Sequence, residues 1–532
     1  MKSIRYIVSM LALSLAVGLT LTSCDRDLLD TVPNDRLSES LFWKTENDAR
    51  LAVNSLYTDL DSTNLISWDA MTDIAHTNQP FDVQAYVELG QYDATSAKVY
   101  GEWVKAYKGI RACNYFLENV DKVTSTNATL INQFKGEART LRAYQYLKLA
   151  ALFGDVPLVT KAISLDESRT LTRAPIAQVW DYVDKELSEA AGLLPTTYAA
   201  VDKGRITKGA ALGLRARANL LAGRYQQAAD AADQVMKLGI YGLYDTYEKL
   251  FTYAAENNKE VLLDRQFIKD TYPVNVFGLL GPYSQKSANS TYVPTKALVD
   301  MYETTTGKLI TDPSSGYDPA NPYANRDPRL KYSIFLTGDP LPSGITYRPE
   351  PNSGTPDAVG NTYIASTTGF NIKKYINADD YANPANNGIN IILLRYAEIL
   401  LTYAEAKVEL NQLDASLFTA LNTVRNGRLD VKQPFISSTA TQAELRAIVR
   451  RERAVELAFE GLRLFDIRRW KIAETAVPGP VYGITYKDAS GALATVQVVA
   501  VNRTFDATRH YLWPIPQKER NLTPTLTQNP GW

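Results

Sequence analysis

Two cysteines and two histidines in 532 residues leave little material for several kinds of chemistry. Two Cys cannot build a disulfide scaffold or a Cys-based zinc site. His76 and His510 stand far apart in sequence, so neither a His-rich metal centre nor a histidine relay has its parts. Charge of one sign is also missing: 57 Lys+Arg face 58 Asp+Glu, a net charge of −1. That balance gives no general attraction for nucleic acid or for an anionic membrane. There is no His-Glu-x-x-His, no Gly-x-Ser-x-Gly and no Walker phosphate loop. No EF-hand-like spacing marks a cation, and no cofactor or metal is expected. What is present is a globular composition, 45% hydrophobic and 22% charged, with an unusual weight of tyrosine: 32 Tyr against 7 Trp and 15 Phe.

Lys2 and Arg5 precede an apolar run from Ile7 to Leu21, about 15 residues and short of the ~20 that a spanning helix needs. Leu21-Thr22-Ser23-Cys24 follows, and small residues before a Cys at the end of such a leader resemble the lipobox of bacterial lipoproteins. Residues 1–23 are then a signal peptide, Cys24 is the lipidated residue, and residues 24–532 form one exported domain tethered by its N-terminus. Several acyl chains give stable anchoring where one would be marginal. Cys113 lies on an expected helix and reads as a buried structural thiol.

Helical periodicity dominates the rest. Thr45-x-x-Asp48 can cap a helix that ends near Asp61. Further helices are expected at about 97–120, 128–152 (stopped by Gly154 and Pro157) and from Pro175 to Pro195. Residues 207–238 read as two Ala-rich helices joined at Gly223-Arg224-Tyr225, which resembles a tetratricopeptide repeat without its Trp and closing Pro. Helices return at about 390–411 and 414–427. One long helix is expected at about 441–473, where alternating charges (Arg450-Arg451-Glu452-Arg453, then Arg463, Asp466, Arg468 and Arg469) read as an ion-pair-laced surface beside one buried stripe. A hairpin is expected within 480–512. The fold class is mainly α: tetratricopeptide-like helical hairpins as scaffold, with a few short strands and two loop-rich insertions, 62–95 and 265–388. Loops of that length usually carry function.

Both insertions are rich in aromatic and amide side chains. Sugars present flat C–H faces and many hydroxyls, so a binder needs aromatic platforms with Asn, Asp, Gln or Arg beside them. The first insertion supplies Trp68, His76, Asn78 and Tyr86, with Gln79 and Tyr92. The second supplies Tyr283, Asn289, Tyr292, Tyr317, Tyr323 and Tyr363, with Gln285. Trp68 is the leading candidate, being large, flanked by polar residues and outside any helical stripe. Trp103, Trp180 and Trp470 lie on helical stripes and read as core.

Several stretches in order resemble the SusD/RagB family of outer-membrane nutrient-binding lipoproteins. They are Cys24 with Leu29-Asp30-x-x-Pro33; Phe42-Trp43-x-Thr45-Glu46-x-Asp48-Ala49; Ala106-Tyr107-x-Gly109-Ile110-x-x-Cys113-Asn114; and Gly136-Glu137-Ala138-Arg139-x-Leu141-Arg142-Ala143-Tyr144 running into Leu152-Phe153-Gly154-Asp155-Val156-Pro157. Leu394-Arg395-Tyr396-Ala397-Glu398-Ile399 and Arg451-Glu452-Arg453-x-x-Glu456-Leu457-x-x-Glu460-Gly461-x-Arg463-x-Phe465-Asp466-x-x-Arg469-Trp470 follow, then Trp513-Pro514-Ile515-Pro516. The resemblance implies a non-catalytic binder of polysaccharide or oligosaccharide, anchored by lipid to the outer membrane and facing the cell exterior. Its implied partner is a SusC-type TonB-dependent transporter. A peptide-binding member of the same family is the alternative. A surface glycoside hydrolase, for which Asp69 and Asp73 could be posed as the carboxylate pair, is a third reading.

Overall fold

The computed structural model describes residues 42–286 and 288–532. Cys24 and the leader before it lie outside the described residues.

Helix α1 (Glu46–Leu56) starts at the expected capping box, in which the Thr45 side chain accepts the Asp48 N–H and the Asp48 carboxylate accepts the Thr45 N–H. The segment that follows differs from its expected loop. Residues 62–95 hold a helix α2 (Asn64–Asp69), a strand β1 (Ala75–Thr77) and a helix α3 (Val83–Glu88), and residues 65–78 are buried throughout. Residues 65–78 lack periodicity because they are covered on every side, so no face needed to be polar.

The scaffold follows the sequence reading closely. Helices α4 (Ala97–Asn119), α5 (Ala128–Phe153), α6 (Ile176–Leu193), α7 (Lys208–Leu221) and α8 (Tyr225–Lys237) each pack on the next. Side-chain caps at Ser96, Asn127 and Thr207 set three of the starts. Gly223, at φ +71°, makes the turn between α7 and α8. Gly213 of α7 lets the strand segment 391–395 approach: a Cβ there would stand 2.7 Å from Leu394 Cδ2.

The 265–388 insertion is turns and short elements, as expected. Strand β2 (Val261–Arg265) precedes it. Inside it lie β3 (Tyr292–Pro294), helix α9 (Lys296–Met301), β4 (Ile334–Phe335) and β5 (Asn371–Ile372). The helix expected from residue 390 is instead a strand, β6 (Ile391–Arg395), running into helix α10 (Tyr396–Glu409). An apolar run of four, Ile391 to Leu394, fits either state, and antiparallel pairing with β2 decides for the strand. Strand pairs β1–β3, β2–β6 and β4–β5 are all antiparallel.

Helix α11 (Ala415–Asn426) is capped by Asp414. The single long helix expected over 441–473 is two, α12 (Gln442–Glu456) and α13 (Arg463–Arg469). Between them Phe459 and Gly461 take left-handed φ of +65° and +77°. The break turns the Gly461 and Arg463 N–H groups toward the Asp69 carboxylate, at 3.1 and 3.0 Å, and docks the first insertion. Burial pushes the Asp69 carboxyl up to about 7 in spite of those two donors. Asp73 meanwhile pairs with Arg463 at 2.7 Å. Both acids are structural, which removes the carboxylate pair posed for hydrolysis. Strands β7 (Gly479–Lys487) and β8 (Leu493–Arg503) form the expected hairpin.

A contiguous core runs from Trp43 to Leu526 and includes Trp103, Trp180 and Cys113, while Trp470 is buried outside that cluster. Burial pushes the Cys113 thiol up to about 12, so it stays protonated. Of the charges of α12 and α13, Glu452, Arg453, Glu456, Arg463, Asp466 and Arg468 lie inside the protein. Arg395 meets Glu260, Glu456 and Glu460 at 2.6–2.8 Å. Arg428 meets Glu260 and Glu456, and Arg329 meets Glu456 at 2.9 Å. Burial alone would raise the Glu456 carboxyl, but Arg428, Arg395 and Arg329 outweigh it and hold it far below the usual range.

Candidate functional site

The residues expected to bind ligand divide sharply by burial. Trp68 is 1% exposed. Its ring stacks on Trp513 (centroids 5.7 Å apart, 21° between planes) and lies 5.6 Å from Phe465, with Lys98 Nζ 4.6 Å from its centre. A ring enclosed in this way offers no face to a sugar, and Trp68 is core. Its polar flanks misled the sequence reading, because Ser67 and Asp69 find their partners inside the protein. Tyr92 is likewise buried, stacked on His510 at 5.0 Å, and Gln285 is buried against Ser343.

His76, Asn78 and Tyr292 are buried too, and they form the foundation of a surface rather than the surface itself. His76 Nδ1 lies 2.7 Å from Glu88 Oε1, to which Arg503 Nε donates at 2.9 Å. Burial would raise the Glu88 carboxyl, but His76 and Arg503 bring it below its ordinary value. Asn78 Nδ2 donates to the Ala365 carbonyl at 3.1 Å, with the Tyr363 and Ile364 carbonyls close by. Its Oδ1 accepts the Thr367 N–H and hydroxyl at 2.8 and 2.7 Å. One amide therefore joins the first insertion to the second. Tyr292, on β3, accepts from Gln84 Nε2 at 3.2 Å; burial, then Asp82, raise its phenol.

Above this foundation stand open rings. Tyr86 on α3 is 49% exposed and Tyr363 is 66% exposed. Phe81, three residues after Asn78, is 86% exposed. Phe81 was not among the expected residues. Its signal was present, a Phe set between Pro80 and Asp82, where no helical stripe needs it. Tyr283 and Asn289 are half-buried, and the Ser284 N–H bonds the Asp357 carboxylate at 2.8 Å.

The strip 363–370 leads from this aromatic ledge to a groove. Phe370 packs against Tyr323 at 6.2 Å, and the Thr368 carbonyl accepts the Ile484 N–H of β7 at 2.8 Å. Beneath the hairpin lies a groove of about 570 Å³, within the range of small-molecule sites, about 300–1,000 Å³. Tyr323, Arg348, Glu350, Asn352, Tyr486 and Lys487 are among its lining residues. The Tyr323 hydroxyl and Glu350 Oε2 are both buried without a hydrogen-bond partner. The exposed side chains of Arg348, Asn352 and Lys487 give the groove donors and acceptors for a hydroxyl-rich ligand. Burial, then Tyr317 and Glu350, raise the Tyr323 phenol. Tyr317 is half-buried, with Arg326 5.5 Å from its ring centre. Among the described residues no cluster of three or more His, Cys, Asp or Glu could hold a metal ion, and no helix is long and apolar enough to cross a membrane.

Comparison with known proteins agrees with this architecture. The family model described as "SusD family" matches residues 248–532, more than half of the chain. The chain belongs to the SusD family. A second family model, "Starch-binding associating with outer membrane", matches residues 39–220. A SusD-like protein of Formosa agariphila is 25% identical over 544 residues, covering 97% of this chain and 98% of that one. A SusD-like carbohydrate-binding protein of Bacteroides fragilis has a solved structure with a TM-score of 0.84 at 29% identity, covering 91% of this chain and all of that one. A second SusD-like structure from Bacteroides fragilis superposes with a TM-score of 0.81 at 26% identity. The mainly helical, tetratricopeptide-like scaffold is therefore the SusD fold.

Proposed function

We propose that this SusD-family chain is a cell-surface lipoprotein, anchored through Cys24, that binds a polysaccharide or oligosaccharide without cleaving it. It passes the glycan to a partner SusC-type TonB-dependent transporter in the outer membrane. Family membership supports the class of function. The observation that carries the site is the set of open rings, Phe81, Tyr86 and Tyr363, on a foundation locked by Asn78. Exposed aromatic rings are normally costly to leave in water, and a patch of them marks a binding surface. Backbone locked by buried hydrogen bonds beside such rings reduces the entropy lost when a sugar face stacks on them. The groove beneath the hairpin continues the surface with hydroxyl partners.

A glycan array run beside a peptide library tests the reading. Retention of a glycan family, with no release of reducing sugar, is the expected result. Retention of peptides alone would transfer the site to peptide binding, and reducing-sugar release would end the non-catalytic claim. Fatty-acid labelling that is lost in Cys24→Ala checks the anchor.

A further inference from the structure

A separate cavity of about 380 Å³ opens between α9, residues 309–311 and the α12–α13 region. Its walls include Met301, Leu309 and Trp470, together with three arginines, Arg450, Arg451 and Arg463. Two of these are committed. Arg451 is paired with Glu303. Arg463 is held by Asp73, at 2.9 and 2.7 Å. The acid on the lining, Asp300, is held by Lys296 at 2.7 Å.

Arg450 is different. Its guanidinium lies over the Trp470 ring, 4.9 Å from the centre, and its Nε is buried with no acceptor. The carboxylate facing it, Glu409, stands 3.9 Å away and is already bound by Arg446 at 2.8 Å. Glu405 also acts on Arg450, but Arg469 and Trp470 Nε1 occupy both its oxygens, each at 2.6 Å. A guanidinium held over an indole keeps its terminal N–H groups available, in the planar fork that matches a carboxylate or a sulfate. Apolar walls beside it suit the C–H face of a sugar ring.

We propose that this cavity binds the anionic substituent, carboxylate or sulfate ester, of an acidic saccharide, with Arg450 as the anchor reaching it through its terminal nitrogens. The anion site stands on the cavity's own geometry; that its ligand is a saccharide rests on the function proposed above.

Calorimetry on the full lipoprotein in detergent micelles, with an oligoglucuronide, its carboxyl-reduced form and sodium sulfate, tests the site. The oligoglucuronide should bind more tightly than the reduced form and weaken as sodium chloride is raised. Arg450→Gln should lose that preference by about tenfold or more, and Arg450→Lys should recover part of it. Sulfate binding lost in Arg450→Gln, without glucuronide preference, assigns the same anchor to a sulfate ester. The proposal falls if the reduced form binds as tightly and sulfate does not bind, or if Arg450→Gln binds both anions as wild type does. The salt dependence reads the wild-type protein alone and so does not depend on the variant folding. Tyr363→Ala should leave the anion preference intact, and Arg450→Gln should leave neutral-glycan binding intact, so failure of either proposal is told from failure of the other.

Discussion

At the centre of the scaffold, Arg329, Arg395 and Arg428 and the glutamates that pair with them are buried. At the aromatic ledge, Phe81, Tyr86 and Tyr363 stand in solvent. The usual placement of charge outside and aromatic rings inside is reversed in these two regions. The central charges are tolerated because each guanidinium there meets at least two carboxylates, Arg428 through Nη2 alone, and removing one partner would strand the others. The ledge is tolerated because a ligand is expected to cover it. The first region should therefore answer to stability measurements and the second to binding measurements.

Glu456→Ala should break the first region most strongly. It leaves Arg395, Arg428 and Arg329 each short of a partner, a loss of about 3–5 kcal/mol. Urea unfolding followed by circular dichroism reads it, and a midpoint close to wild type would show that water replaces the pairs. Trp68→Ala empties a space between Trp513 and Phe465 and should cost about 4 kcal/mol. The same unfolding experiment applies, and weaker glycan binding by a protein of unchanged melting temperature would return Trp68 to the site.

Acid should act on the charged centre next. Glu452, Glu456 and Glu460 are all held below their ordinary value of 4.5. Their contribution is therefore present above about pH 4.5 and is lost progressively as pH falls below it. Melting temperature measured from pH 7 to pH 3 should fall in that lower range, and a flat profile would contradict the pairing. The smallest stability effect belongs to the ledge. Tyr363→Ala and Tyr86→Ala should change stability by no more than about 0.5 kcal/mol. Each should weaken glycan binding by about tenfold, the weight of one aromatic stacking contact of about 1.4 kcal/mol. Unchanged affinity on the array would place the ligand elsewhere, and the hairpin groove would then be the surface to mutate.

Local signals made the scaffold legible. Caps at Thr45 and Thr207, and turns at Gly154 and Gly223, depend only on neighbours a few residues away. The misread elements depended on distant partners. Ile391–Arg395 is a strand because β2 lies beside it. The 441–473 helix breaks because Gly461 must pass the Leu65 carbonyl, where a Cβ would stand at 2.8 Å, and because Asp69 binds the N–H groups the break releases. The apolar spacing of Leu457, Phe459 and Leu462 carries no trace of that contact.

The sequence by itself determined the helical scaffold, the hairpin and the family, since each is written in local periodicity, capping and ordered motifs. It also placed tyrosine where binding should be sought. Only the tertiary structure decided which rings are free to bind. Exposure is a property of what packs against a residue, not of its neighbours in the chain. The fold thus enclosed Trp68 and made His76 and Asn78 into anchors. It left Phe81, Tyr86 and Tyr363 open.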